Sequence, residues 1–346
     1  MGKNSIIPDL IFRKYNQHKN ARKLLIDKPN SIVEAGFIKI GGIDQWVAIR
    51  GEDRSNPVLL FIHGGPGSVY SIFSPLLRTW EKHFTIVQWD QRGAGKTFRK
   101  NGEEGSGNIT FQQLAKDGIE LSEYLCRKLD HEKLILIGSS VGSLIGVMMV
   151  KDKPDLFYAY VGTDQNAPDP EFISYKLSLD ALGSVGNKKG IELIKKMGPD
   201  QSKWKRKDFD KRNQYIVKAV KNVPNMIMDL MLPSMLSSPE HKMSDLIDIF
   251  KGMSYSLDCL YEELMVLDIR EQGMKFELPF FIFQGDCDIV TPTAVAKAYF
   301  DEVNAPYKEF VLIKNAGHLA SFAKEEQFLK ELIKRVKPLV HATVNN

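Results

Sequence analysis

Three serines stand within five positions in the stretch Leu134-Ile-Leu-Ile-Gly-Ser-Ser-Val-Gly-Ser-Leu-Ile-Gly146, and their spacing singles one out. The pattern Gly-x-Ser-x-Gly is met only by Gly138-Ser139-Ser140-Val141-Gly142. Centring it on Ser139 would need glycine at Ile137, and centring it on Ser143 would need glycine at Val141. A serine on a sharp strand-to-helix turn sits in strained backbone, and side chains two residues to either side would collide. Glycines at 138 and 142 remove the collision and leave the Ser140 hydroxyl exposed at a helix N-terminus. Such a hydroxyl suits nucleophilic attack on a carbonyl, provided a base and a pair of oxyanion donors stand beside it.

Those companions are sought at other strand ends, because ligands and catalysts in open parallel sheets gather beyond the C-terminal ends of the strands. After the apolar run 58–62 comes His63-Gly64-Gly65-Pro66-Gly67, whose backbone N–H groups can point inward. This loop can supply one half of an oxyanion hole and the N–H of Val141 the other. His63 and Gly64 are candidate substrate contacts on the same loop. After run 279–284 comes Gly285-Asp286-Cys287-Asp288, and after 309–313 comes Lys314-Asn-Ala-Gly-His318. Serine, acid, histidine is the chain order of hydrolases built on a nucleophile elbow. The residues alone leave the acid open between Asp286 and Asp288.

The elements needed to hold these groups are written in the apolar pattern. Runs 33–40 and 45–49 alternate like the strands of a hairpin joined by Gly41-Gly42-Ile43-Asp44. Short apolar runs at 58–62, 84–89, 134–137 and 157–161 are separated by helical stretches near 70–82, 110–128 and 141–151. That alternation predicts a mostly parallel α/β sheet covered on both faces. From 164 to 272 the strand pattern gives way to helical periodicity, at 177–182, 190–197, 215–220, 226–236, 243–253 and 258–267. Strands resume at 279–284 and 309–313 before a closing helix near 324–338. The expected organisation is an N-terminal helical extension (1–32), an α/β core (33–164 and 273–346) and an inserted helical cap (165–272).

Bulk properties exclude several classes. The 346 residues carry a net charge of +4, small for this length, so a nucleic-acid partner is not indicated. The basic run Lys203-Trp-Lys-Arg-Lys207 with Lys211-Arg212 is interleaved with Asp200, Asp208 and Asp210 and reads as a solvated face. Gly95-Lys96-Thr97 imitates the end of a phosphate-binding loop, but that pattern needs glycine where Asp90 stands. Cys126, Cys259 and Cys287 lack metal-ligand spacing, and an odd count argues against a disulfide framework. No run is long and apolar enough for a bilayer, and Met1–Ile6 begins like a myristoylation site but has isoleucine where a hydroxyl is wanted. The expectation is a cytoplasmic protein with no membrane partner and no metal or organic cofactor.

The segments HGGPG (63–67), WDQRGAGKT (89–97), GSSVGS (138–143), GDCD (285–288) and NAGH (315–318) resemble the proline iminopeptidase-like branch of the α/β-hydrolase superfamily, over roughly residues 33–340. The resemblance implies Ser140 as nucleophile, His318 as base and, from the GxxD spacing, Asp288 as the acid. It implies Gly65 as the oxyanion donor that partners Val141, and an arginine and aspartate in 89–97 that organise the surrounding loops. The implied activity is acyl transfer through an acyl-enzyme, releasing the N-terminal residue of a small peptide. Two departures stand out: Val141 replaces the tryptophan usual in the family's iminopeptidases, and the cap holds a single tryptophan, Trp204. Glu171, Glu262 and Glu263 are the candidates to hold the substrate's free amine. The alternatives are a carboxylesterase or amidase acting on a small molecule, and a ligand receptor on a disabled hydrolase fold. Retention of serine, acid and histidine weighs against the receptor. With histidine as base, activity should rise with pH through roughly 6–7, the ordinary imidazole range.

Overall fold

The apolar runs form the strands β1 (Ile32–Ile40), β2 (Ile43–Gly51), β3 (Val58–Ile62), β4 (Thr85–Asp90), β5 (Leu134–Ser139), β6 (Phe157–Thr163), β7 (Phe280–Gly285) and β8 (Lys308–Ile313). In this computed structural model, which describes residues 7–342, they make one sheet in the order β1-β2-β4-β3-β5-β6-β7-β8. The hairpin β1–β2 and the β2–β4 pair are antiparallel, and every other pairing is parallel. The chain is an α/β protein whose every strand was written in its apolar pattern, with ends displaced by only a residue or two.

Both faces of the inner strands are covered, which is why those strands read as continuous apolar runs. Leu60, Ile62, Leu136 and Tyr160 pack towards the helices Phe111–Leu129 and Val141–Asp152. Leu59, Phe61, Ile135 and Val161 face the opposite layer, where Phe73, Trp80, Phe322 and Phe328 stack. Successive side chains of a strand point to opposite faces, so one run feeds two cores. The strand order reverses around β3: β4 lies on one side of it and β5 on the other. The crevice beyond the C-terminal ends of β3 and β5 is therefore the switch point at which such sheets bind ligands.

Between β6 and β7 the chain forms helices, chiefly Ile173–Ser184, Lys188–Met197, Arg206–Ala219, Leu232–Ser237 and Met243–Val266. The patterns at 243–253 and 258–267 belong to one helix of 24 residues, since nothing between them breaks the ladder. Ser256, in its middle, turns inward and donates to the Gly93 carbonyl at 2.9 Å. Met226–Met231 is a π-helical turn leading into Pro233, a residue with no N–H for an ordinary ladder. The expected helix near 70–82 is three short turns, and the helix Gly95–Gly105 had no clear apolar signal.

The N-terminal helices Ile7–Ile11 and Arg13–Lys23 lie against the end of the Leu232–Ser237 helix. Arg13 donates to the His241 carbonyl (2.9 Å), Gln17 to that of Ser238 (2.7 Å) and Asn20 to that of Ser237 (3.0 Å). Gln17 and Asn20 thereby satisfy carbonyls that the helix end leaves without intrahelical partners, and Arg13 holds the loop that follows. The myristoylation-like Met1–Ile6 lies outside the described residues. Among those described, no helix is long and apolar enough to cross a membrane, and all three cysteines are free.

Candidate active site

Ser140 directly follows β5 and precedes the helix Val141–Asp152 with φ 54° and ψ −127°, left-handed backbone that a serine rarely adopts. The flanking glycines are there for space. A Cβ on Gly138 would stand 2.8 Å from the Gly142 carbonyl oxygen and from Ser143 Cα, and one on Gly142 would run into the carbonyls of Ile62 and His63. Gly64 is constrained by the turn itself, since a Cβ there would sit 2.7 Å from that of Ser140. The two neighbouring serines are buried and hold the turn. Ser143 donates to the Ser140 carbonyl (2.6 Å) and accepts from Asn166 N–H (2.9 Å), while Ser139 donates to Asp164 (3.0 Å).

His318, in the loop after β8, places Nε2 3.1 Å from Ser140 Oγ and Nδ1 2.9 Å from Asp288 Oδ2. Asp288 is buried, and each of its oxygens is held. Oδ1 accepts from the N–H groups of Val290 (2.8 Å) and Thr291 (3.1 Å), and Oδ2 also accepts from the Thr291 hydroxyl (2.9 Å). Asp286 instead faces outward, accepting from Ala316 N–H (3.3 Å) with Lys314 nearby, so it shapes the turn and does not approach His318. Burial alone would lower the His318 pKa. The carboxylates of Asp288 and Asp164 outweigh it and carry the imidazole up to about 9, above the ordinary range expected from sequence.

The N–H groups of Gly65 (φ 116°) and Val141 donate to no acceptor among the described residues, and both residues line the cavity above Ser140. Paired free donors beside a hydroxyl are what a developing oxyanion requires. His63 is not brought to that cavity. Its Nε2 accepts from Gln91 N–H (3.2 Å), so Nδ1 carries the proton and donates to the Gly64 carbonyl (3.0 Å). Burial holds its pKa down at about 4, and this neutral imidazole braces the loop.

The cavity has a volume of about 430 Å³ and runs from Ser140, Gly65 and Val141 to a wall made by the inserted helices. One cluster here has metal-ligand chemistry: Asp164, Asp288 and His318 bring a ligand atom each within 4.8 Å of one another. Its oxygens are already targets of hydrogens, from Ser139 and Ala320 N–H on Asp164 and from the Asp288 donors above, so a cation there would meet donors. The geometry fits proton transfer better than metal binding.

Residues 57–182 match the family model described as the alpha/beta hydrolase fold. The chain is 27% identical over 319 residues to a probable aminopeptidase, YbaC, of Bacillus subtilis, covering 90% of this chain and 99% of that protein. It is 24% identical over 318 residues to a proline iminopeptidase of Saccharolobus solfataricus, covering 89% and 94%. The chain has the α/β-hydrolase fold, and it is similar in sequence to proline iminopeptidase-like hydrolases. Solved structures share its fold. A proline iminopeptidase-related protein from Thermus thermophilus superposes with a TM-score of 0.58 at 16% identity, over 90% of this chain and 99% of that one. An esterase from Thermogutta terrifontis gives 0.54 at 17% identity, over 88% and 99%.

In this hydrolase the glutamates expected to hold a substrate amine do not reach the cavity. Glu171 and Glu262 are exposed, and Glu263 accepts from Phe111 N–H (3.2 Å) at the start of the Phe111–Leu129 helix. Two carboxylates stand in the cavity wall: Asp200, paired with Lys203 at 2.8 Å, and Asp169, which sequence reading passed over and which accepts from Ile173 N–H (2.8 Å) and Ser174 N–H (2.7 Å). Asp164 was missed as well, although its place directly after β6 was a usable signal. The 89–97 segment behaves as the resemblance implied: Arg92 pairs with Asp117 at 2.9 Å, and Asp90 accepts from Lys96 N–H.

Proposed function

We propose that this α/β hydrolase is a serine hydrolase working through an acyl-enzyme, with Ser140 as nucleophile, His318 as general base and Asp288 as its orienting acid. The observation that carries the reading is the unbroken chain Ser140 Oγ–His318–Asp288 at 3.1 and 2.9 Å. His318 takes the Ser140 proton as Oγ attacks the carbonyl, and Asp288 fixes the tautomer and stabilises the imidazolium. The N–H groups of Gly65 and Val141 hold the oxyanion; loss of one such donor typically raises the barrier by about 3 kcal/mol. His318 then returns the proton to the leaving group and activates the water that frees the acyl group.

The substrate reading is a short peptide cleaved after its N-terminal residue, supported by the similarity to the proline iminopeptidase of Saccharolobus. A free amine entering this cavity needs a carboxylate, because an unpaired buried ammonium is costly. Of the two carboxylates in the cavity wall, Asp200 is paired with Lys203 at 2.8 Å, which leaves Asp169 to meet it. Esterase or amidase action is the second reading, favoured by the absence of Glu171, Glu262 and Glu263 from the cavity lining. Fluorophosphonate labelling of Ser140, followed by a panel of aminoacyl arylamides against short-chain aryl esters, tests both. No label on Ser140 would sink the mechanism, and cleavage of uncharged esters alone would decide for the second reading. Location in the cytoplasm and an inserted cap (165–272) closing over the extended core remain part of this proposal.

A further inference from the structure

The helix Arg206–Ala219 carries most of the basic run that reads as a solvated face, and Lys207 and Lys211 are exposed. Arg212 is not. It is 6% exposed, turned into the molecule with its guanidinium over the Trp204 ring, 5.2 Å from the centroid. Two other arginines are as deeply buried, and each has a carboxylate: Arg50 pairs with Glu81 at 2.7 Å and Arg92 with Asp117 at 2.9 Å. Arg212 forms no ion pair among the described residues. Its polar contacts are the neutral oxygens of Asn213 (2.9 Å) and Ser178 (3.3 Å). Burial lowers its pKa to about 10, and Asp169 is the nearby charge that acts against this fall. Both Asp169 oxygens are already engaged by the backbone N–H groups of Ile173 and Ser174.

A guanidinium buried without a counter-ion is costly, and it is the side chain best shaped to take a carboxylate bidentately. Arg212 and Trp204 line the same cavity as Ser140. We propose that Arg212 is the recognition point for a carboxylate on the substrate, so that the cavity takes short peptides with a free C-terminus in preference to blocked ones. This deepens the hydrolase reading and rests on it for the identity of the ligand. With Asp200 already paired with Lys203, a zwitterionic peptide of this kind matches the two charges of the wall that have no ion-pair partner among the described residues, its ammonium to Asp169 and its carboxylate to Arg212.

The test uses prolylglycine and prolylglycinamide, which differ only in the terminal charge. Their binding is measured by calorimetry to the full chain carrying Ser140→Ala, so that turnover does not interfere. We expect the free acid to bind at least about tenfold more tightly than the amide, the range of one charge-assisted hydrogen bond. Adding Arg212→Gln should abolish that difference by weakening the acid alone, and Arg212→Lys should restore part of it. If Arg212→Gln fails to fold, Arg212→Lys still carries the test through its intermediate preference. Equal affinity for the two ligands, a loss shared by both in Arg212→Gln, or no saturable binding of prolylglycine would overturn the proposal. The hydrolase reading fails separately, through absence of a fluorophosphonate label on Ser140 in the otherwise wild-type chain. A charge preference lost with Arg212 in such an unlabelled chain would uphold the anion site while the mechanism fell.

Discussion

At the scale of single residues, each assigned role has a separable signature. Ser140→Ala should reduce turnover to background with little change in unfolding midpoint, because the hydroxyl at the turn contributes nothing to the core. Asp288→Asn should cost roughly four orders of magnitude in kcat, as loss of an orienting acid does elsewhere. Asp286→Asn should cost little; an equal loss there would reverse the choice of acid. The pH dependence follows from the charge on His318. A protonated imidazole cannot accept the serine proton, so kcat/KM is low below its pKa and rises as pH passes through it. With two carboxylates beside it, that rise should lie above the ordinary histidine range, near 9. Asp164→Asn removes one of the negative neighbours and should move the rise to lower pH. A profile unchanged by Asp164→Asn would mean that Asp164 exerts no field on the base. Sequence spacing made Ser140, His318 and the loop at 63–67 legible as candidates, because each lies in a segment that follows an apolar run. Asp169 and Arg212 were illegible for a physical reason. Their importance lies in which way a side chain turns from an amphipathic helix or loop, and the basic run around Arg212 has no apolar period to show it.

At the scale of elements, the elbow is held by glycines whose places any larger residue would crowd. Gly142→Ala drives a methyl group into the carbonyls of Ile62 and His63. It should cost about 1–3 kcal/mol in urea unfolding, the usual penalty of overpacking, and activity should fall with it. Glu263→Gln tests the other side of the site. Glu263 caps the start of the Phe111–Leu129 helix, where a carboxylate is worth about 1 kcal/mol, so the variant should lose stability on that order and keep its arylamide turnover. A selective loss of arylamide cleavage with ester cleavage intact would return Glu263 to the substrate. The strands were readable because a strand covered on both faces must be apolar throughout. Helix limits were less so: one helix of 24 residues looked like two where Ser254–Leu257 interrupts the stripe, yet Ser256 satisfies its hydroxyl on Gly93 and the ladder runs on.

At the scale of the whole molecule, the amide side chains of Gln17 and Asn20 tie the N-terminal helices to the inserted segment. Gln17 also donates to the His241 carbonyl, so replacing both with alanine should lower stability by about 3 kcal/mol, near 1 kcal/mol for each of three hydrogen bonds, measured as a lower thermal midpoint. Unchanged midpoints would show that these contacts are idle. This tie also has a consequence in time. Gln17 and Asn20 meet carbonyls 221 and 217 residues further along the chain. At roughly 5–20 residues per second, a ribosome takes on the order of 10–40 s to deliver those carbonyls after the N-terminal helices are made. Over that interval the first helices lack these anchors, with the end of the second held where Arg78 donates to the Lys23 carbonyl (3.1 Å), and at their short length they have little helical stability of their own. Residues 7–23 are thus synthesised well before the segment that secures them, and the β3–β6 part of the sheet can already have assembled in between.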